Sequence, residues 1–259
     1  MGTRVNQFEA QIGALDIRLF DKIYSQLYEE DKSSLLLIQK GIRQKIGDYV
    51  YLEIGSYAGG SIQPHLLDPK CVRIYSIDNR PLVPPDDRGI VQEYPENSTE
   101  MMMKKLAELS PLDLSKIKTF EKDASQIEAL SIEPRPQLCL IDGEHTHKAA
   151  LSDFTLCRTV LAPNGIICFH DSHIIFTALK QIIDDLHRAG VSFRAFVLPL
   201  NVFVMEFGDI RLTDMPETRR LLDNNHVAYL SGMLSMEHYR EVYNSPVVKT
   251  LRRIKGILR

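Results

Sequence analysis

Short runs of apolar, β-branched and aromatic residues recur along this chain, with longer stretches of helical spacing between them. The runs are YVYLEI from Tyr49, VRIYSID from Val72, IKTFEKD from Ile117, QLCLIDG from Gln137, GIICFHD from Gly165 and FRAFVLPLNVFVMEF from Phe193. Nearly continuous apolarity, without strict alternation, marks strands buried on both faces, as in a parallel sheet. STEMMMKKLAEL and HKAALSDFTLCRTVL between them read as helices; in the second, Ala150, Leu151, Phe154, Cys157 and Leu161 share one stripe. Strands alternating with helices predict an α/β fold, a doubly wound and mostly parallel sheet with helices on both faces. The last run is interrupted only at Pro199–Asn201, which leaves no room for a helix, so its halves predict an antiparallel pair at the sheet edge.

The flanks differ from this core. Residues 1–46 carry helical patterns, including SSLLLIQKGIRQKI with Leu35, Leu36, Ile38, Ile42 and Ile46 roughly on one face, and predict an N-terminal helical cap. The sheet domain spans 47–208, and 209–259 forms a C-terminal helical extension. The segment NRPLVPPDDRGIVQEYPEN, rich in proline and charge, is too long for a tight connection and predicts a functional loop or lid.

Composition narrows the class. A chain of 259 residues, 44% hydrophobic, can bury one large core. Its net charge of -3 offers no basic excess to neutralise phosphates, so no nucleic-acid partner is expected. Four cysteines without CxxC spacing suit a reducing compartment, and no apolar run reaches the ~20 residues of a membrane helix. A soluble, cytoplasmic protein is expected.

Ligands of open α/β sheets bind beyond the carboxyl ends of the strands. Here those ends are acidic: Glu53, Asp78, Asp123, Asp142, and the pair His170 and Asp171. Any one could simply cap a helix; five in succession predict a site. The turn after the first run reads Gly55, Ser56, Tyr57, Ala58, Gly59, Gly60, Ser61 and does not spell GxGxxG. An acid beside it would repel a pyrophosphate and attract a cation, which favours S-adenosylmethionine, with its ammonium and sulfonium, over a dinucleotide.

LEIGSYAGGS resembles the first motif of class I S-adenosylmethionine-dependent O-methyltransferases, with glycine spacing nearest the catechol O-methyltransferase branch. YSID resembles that family's ribose-binding motif and KDASQ its adenine-framing segment. IDGEHTH followed by LAPNGIICFHD resembles the subgroup that methylates sugar hydroxyls of glycosylated metabolites and glycans. The resemblance covers roughly residues 33–207 and implies a Rossmann-like sheet. It assigns Glu53, Gly55 and Ser61 to the methionine end, Asp78 to the ribose, and Asp123, Ser125 and Gln126 to the adenine side. Ser56, Tyr57, Gly59, Ala124 and Asp142 complete the implied cofactor set. It further implies a divalent metal on Asp142, His170 and Asp171, where His170 replaces an acid of the catechol pattern; magnesium or manganese is favoured over zinc. His145, three residues after Asp142, stands where the catechol enzymes carry a lysine and is the candidate base, with His173 its rival; imidazole suits the task near neutrality.

Several alternatives stay open. Asp142 and Asp171 could hold loops while His170 packs beneath the cofactor. EHTH could suggest a zinc hydrolase, although two histidines at i, i+2 point apart on a helix. A metal-dependent hydroxylase-like or hydrolytic enzyme on the same fold is one alternative function, and a non-catalytic membrane-associated glycan-assembly factor another. The absence of tryptophan favours a sugar, glycan or other small polyol over a flat aromatic acceptor. The basic amphipathic tail, SPVVKTLRRIKGILR, could touch an anionic membrane, a second copy in a homo-oligomer, or its own domain.

Overall fold

A computed structural model describes residues 2–80, 84–91, 93–223 and 225–257. Helices α1 (Gly2–Gly13) and α2 (Glu29–Lys45) precede β1 (Tyr49–Ile54), α3 (Gln63–Leu67), β2 (Cys71–Ile77), α4 (Thr99–Leu109), β3 (Ile117–Phe120) and β4 (Leu138–Ile141). Then come α5 (His147–Val160), β5 (Gly165–Phe169), α6 (Phe176–Arg188), β6 (Phe193–Leu198), β7 (Val202–Phe207), α7 (Pro216–Asp223), α8 (Asn225–Asn244) and α9 (Pro246–Ile257). The strands form one sheet in the order β3-β2-β1-β4-β5-β7-β6. Neighbours from β3 to β5 pair in parallel, whereas β7 runs antiparallel to both β5 and β6. The strand order reverses between β1 and β4, so the loops leaving these two strands diverge and open a crevice between them.

Alternation along β1 decides what each side chain meets. Val50, Leu52 and Ile54 face the cluster built with α5 and α6 residues such as Phe154, Cys157 and Ile182. Tyr49, Tyr51 and Glu53 face the opposite layer, where Ile38 and Ile42 of α2 and Leu66 of α3 pack. Five-residue α3 is too short to persist alone. Fully buried Ile62 and Leu66 hold it, each burial being worth roughly 1.5–3 kcal/mol. Side chains set the helix starts: Ser98 accepts from the Met101 amide and Thr146 from the Ala149 amide.

The N-terminal segment is continuous with the core. Ile38 and Ile42 of α2 share a cluster with Tyr49 and Tyr51, while Phe8, Ile12, Phe20 and Leu36 form a satellite cluster. Buried Arg43 joins α2 to Asp68 (2.9 Å) and to Glu9. The four cysteines are free and buried. No helix among the described residues is long and apolar enough to cross a membrane. In the C-terminal tail Val247 and Leu251 are exposed. Val248 beside them is half-buried, and the side chains of Ile254, Ile257 and Leu258, also apolar in this basic tail, lie outside those described.

Candidate functional site

Two cavities open at the carboxyl ends of the parallel strands. The first is lined by Gly55, Tyr57, Asp78, Asp123, Ala124, Asp142, Gly143 and Asp153, and by Asp86, Ile90, Tyr94 and Asn97 of the long loop after β2. The second, about 790 Å³, is lined by Ser56, Ser61, Asp142, His145, His170, Asp171 and His173 together with Tyr24–Tyr28 from the N-terminal segment. Gly55, Tyr57, Tyr94, Asp142 and His145 border both.

Backbone geometry makes this crevice. Gly55 has φ +90°, and a side chain there would strike the backbone of Asp142 and Gly143, so only glycine lets β1 and β4 part this closely. Gly60 plays the same part towards the N-terminal segment: a Cβ would meet the Tyr24 carbonyl at 2.4 Å. Tyr57 (φ 40°) and Asp171 (φ 48°) adopt the left-handed region without being glycine, as strained residues at functional sites do. Asp78 accepts from the Tyr57 amide at 2.8 Å and lies 3.3 Å from Arg80, whose guanidinium also bonds the Tyr57 carbonyl, Asn97 and Thr99. The long loop is thereby tied to the glycine turn, and the His147 amide bonds Asp87 at 2.7 Å on its far side. The expected lid lines both cavities through Asp86, Arg88, Ile90, Tyr94 and Asn97.

At the shared border lies a cluster of imidazoles and carboxylates. Ligand atoms of Asp142, His170 and Asp171 all fall within 4.8 Å of one another. His170 Nδ1 is 3.0 Å from Asp142 Oδ1 and 3.7 Å from Asp171 Oδ2. Its Nε2 lies 3.2 Å from Asp31 Oδ2. Asp31, fully buried at the start of α2, sets a carboxylate beside Nε2 without closing a hydrogen bond, while Nδ1 bonds Asp142. His145 Nε2 is 3.6 Å from Asp142 and 3.5 Å from Asp171, and it is buried without a hydrogen bond. His173 Nδ1, 3.9 Å from Asp171, is likewise unpartnered.

Burial and charge set the protonation of this cluster. Burial opposes ionisation of Asp142, but His170 and His145 outweigh it and hold the carboxyl well below the usual range. Burial would lower His170 and His145; the neighbouring aspartates raise both. His173 is lowered, since burial exceeds the attraction of Asp171. Two carboxylates and the His170 imidazole, with ligand atoms within 4.8 Å of one another, make a donor set that fits a divalent cation, and the orphaned Nε2 of His145 faces the same two carboxylates. The first cavity fits a cationic cofactor for a similar reason: Asp78, Asp86, Asp123, Asp142 and Glu144 line it, facing Lys122 and His145.

Not every expected site residue reaches a cavity. Glu53 lines neither, because strand alternation turns it to the α2–α3 layer; there it accepts from the Tyr51 hydroxyl (2.7 Å) and from Ser61 Oγ (2.5 Å). Its contact with a methionine moiety is thus corrected to support from beneath the glycine turn. Gly59 shapes the turn against Met102 and Leu106. Of the adenine-side set, Asp123 and Ala124 line the first cavity, while Ser125 and Gln126 line neither; Ser125 spends its hydroxyl on Asp123 (2.5 Å). His147 bonds Thr177 and Gln181 on α6 and takes no part in the cluster. Asp31, Arg80, Asp153 and Tyr24–Tyr28 were not singled out from the sequence; the place of Asp31 at the third position of α2, where it accepts from the Tyr28 amide, and the buried i, i+3 place of Asp153 beside Ala150 gave only structural signals.

Residues 52–172 match the model of a family described as a methyltransferase domain. Among solved structures the chain is similar to the calicheamicin methyltransferase CalS11, with 13% identity, a TM-score of 0.53, and coverage of 80% of this chain and 93% of that one. It is similar to the O-methyltransferase TomG from Streptomyces achromogenes, involved in tomaymycin synthesis and solved in complex with SAM (16% identity, TM-score 0.50, 79% and 89% coverage). It is also similar to MycE from the mycinamycin pathway, solved with Mg and SAH (17% identity, TM-score 0.50), covering 76% of this chain and 55% of that one. No curated protein matches the chain. The segment 52–172 is a methyltransferase domain, and the sheet around it has the class I methyltransferase fold.

Proposed function

We propose that this methyltransferase-domain chain is an S-adenosylmethionine-dependent O-methyltransferase acting on a hydroxyl of a sugar, a glycan or a glycosylated small molecule. One observation carries the reading: the acid-lined cavity and the larger polar cavity meet at Asp142 and His145. Methyl transfer needs that junction, because donor and acceptor must enter from different sides and align over one short gap.

Asp78, Asp123 and the glycine turn bind and orient the cofactor, which supplies an activated methyl group on a sulfonium. Asp142, Asp171 and His170 Nδ1 would hold a divalent metal, which supplies Lewis acidity towards adjacent acceptor hydroxyls. His145 Nε2, free of hydrogen bonds and aimed at the junction, takes the acceptor proton. Tyr57 and Tyr94, their rings 5.0 Å apart, wall the junction and restrict water. Similarity to CalS11, described as a TDP-rhamnose 3'-O-methyltransferase, supports a sugar acceptor, as does a larger cavity lined by hydroxyls and carboxamides such as those of Tyr24, Ser25, Gln26 and Asn201. Incubation with methyl-labelled S-adenosylmethionine and a panel of nucleotide sugars, methyl glycosides and catechols tests the proposal. Label in sugar acceptors only, lost in the chelated and metal-stripped protein, is the expected result; label in catechols alone, or transfer unaffected by metal stripping, overturns the acceptor or the metal assignment respectively.

A further inference from the structure

Asp153 presents a problem that the reaction as described leaves unanswered. It sits on α5 with 6% of its surface exposed, lines the first cavity, and has no hydrogen-bonding or cationic partner among the described residues. Its nearest charges are Asp123 and Glu144, both acids. A Cβ added to Gly143 would lie 3.4 Å from its Oδ2, which puts the carboxyl at the floor of the cavity, under the β4–α5 turn. A buried polar side chain is nearly always paired, and leaving it unpaired costs more than a hydrogen bond returns.

We propose that Asp153 pairs with the amino edge of the cofactor's adenine and thereby sets the base preference of the cavity, an inference that rests on the cofactor reading above. The end of the cavity at Asp123 and Ala124 is the end that Asp153 faces, and its acidic surroundings favour a ligand that offers N–H groups. Burial and the two acids push the carboxyl up to about 8, so near neutrality it carries a proton. A neutral carboxyl both accepts and donates, which matches an exocyclic amino group beside a ring nitrogen in the way that a carboxamide pairs with adenine.

Calorimetry with S-adenosylhomocysteine and its analogue lacking the 6-amino group tests this on wild type, Asp153→Ala and Asp153→Asn, with melting curves confirming that each variant is folded. Wild type should prefer the adenine ligand about tenfold or more, Asp153→Ala should bind both ligands weakly with that preference gone, and Asp153→Asn should keep it. An equal preference in wild type and Asp153→Ala overturns the inference and leaves the cofactor reading intact. If wild type binds neither ligand, the cofactor reading fails and the inference with it.

Discussion

Glu53 and Asp142 lie at the ends of neighbouring, paired strands, Glu53 fully buried and Asp142 half-buried, and the two sides of the sheet treat them oppositely. Glu53 lies among Tyr51 and Ser61 in an apolar layer; burial pushes it up to about 8, with its two hydroxyl donors only partly opposing. Asp142 lies among imidazoles at the strand ends and is held ionised. The histidines divide in the same way. His65, stacked on Tyr51 with ring centroids 3.7 Å apart, has no charged partner and is pushed down by burial to about 3, while His170 between Asp31 and Asp142 is raised. Burial disfavours charge everywhere in the molecule; the partners within about 4 Å decide whether a charge survives it. The lower layer is built to support the turn, the upper one to hold cations and move protons.

The largest effect should follow from breaking the upper cluster. Asp142→Asn should lower methyl transfer by about a thousandfold, because the cavities lose their shared anion; His145→Ala should cost about a hundredfold in kcat with cofactor affinity nearly unchanged by calorimetry. If His173→Ala shows that loss and His145→Ala does not, the two histidines exchange roles.

A smaller effect separates the layers by pH. In the folded chain Glu53 keeps its proton up to about 8, whereas the unfolded chain releases it near 4.5, so folding binds a proton between these values. Its contribution is complete below about 4.5 and is lost as pH rises towards about 8, amounting to a few kcal/mol. Asp142 has the opposite sign: its folded pKa is depressed, and its contribution is present above 3.8 and lost as pH falls below that value. Glu53→Gln, neutral at every pH, should therefore flatten the decline of Tm between pH 5 and 8, measured by thermal melting. An unchanged slope would show that Glu53 is ionised in the fold.

The smallest effect sharpens the same contrast. Ser61→Ala removes one donor to Glu53, costing about 1 kcal/mol of stability and moving the alkaline decline to still higher pH, since that hydrogen bond lowers the Glu53 pKa. A shift to lower pH in the melting series would contradict it.

Most of the fold could be read from apolar periodicity. The strand runs became β1 to β7, the stripe through Ala150, Phe154 and Cys157 became the buried face of α5, and Pro199–Asn201 became the turn between β6 and β7. The strand-end residues Asp78, Asp123, Asp142, His170 and Asp171 could be read as well, because parallel strands deliver their carboxyl ends to one edge. Asp31 and Tyr24–Tyr28 were hidden, since nothing local distinguishes a capping-box acid or a surface tyrosine from a residue that meets the glycine turn and the distant His170 and Asp171 at one cavity.

Local pattern by itself determined where strands and helices lie, which strand ends carry acids, and that glycine must follow β1, because these depend on side-chain periodicity and on backbone conformation at single residues. Only the tertiary structure decided which face of β1 Glu53 occupies, which histidines meet which carboxylates, and which of those groups carry a proton. Such outcomes depend on burial and on distances of a few ångströms between residues far apart in the chain, and a protonation state responds to both at once.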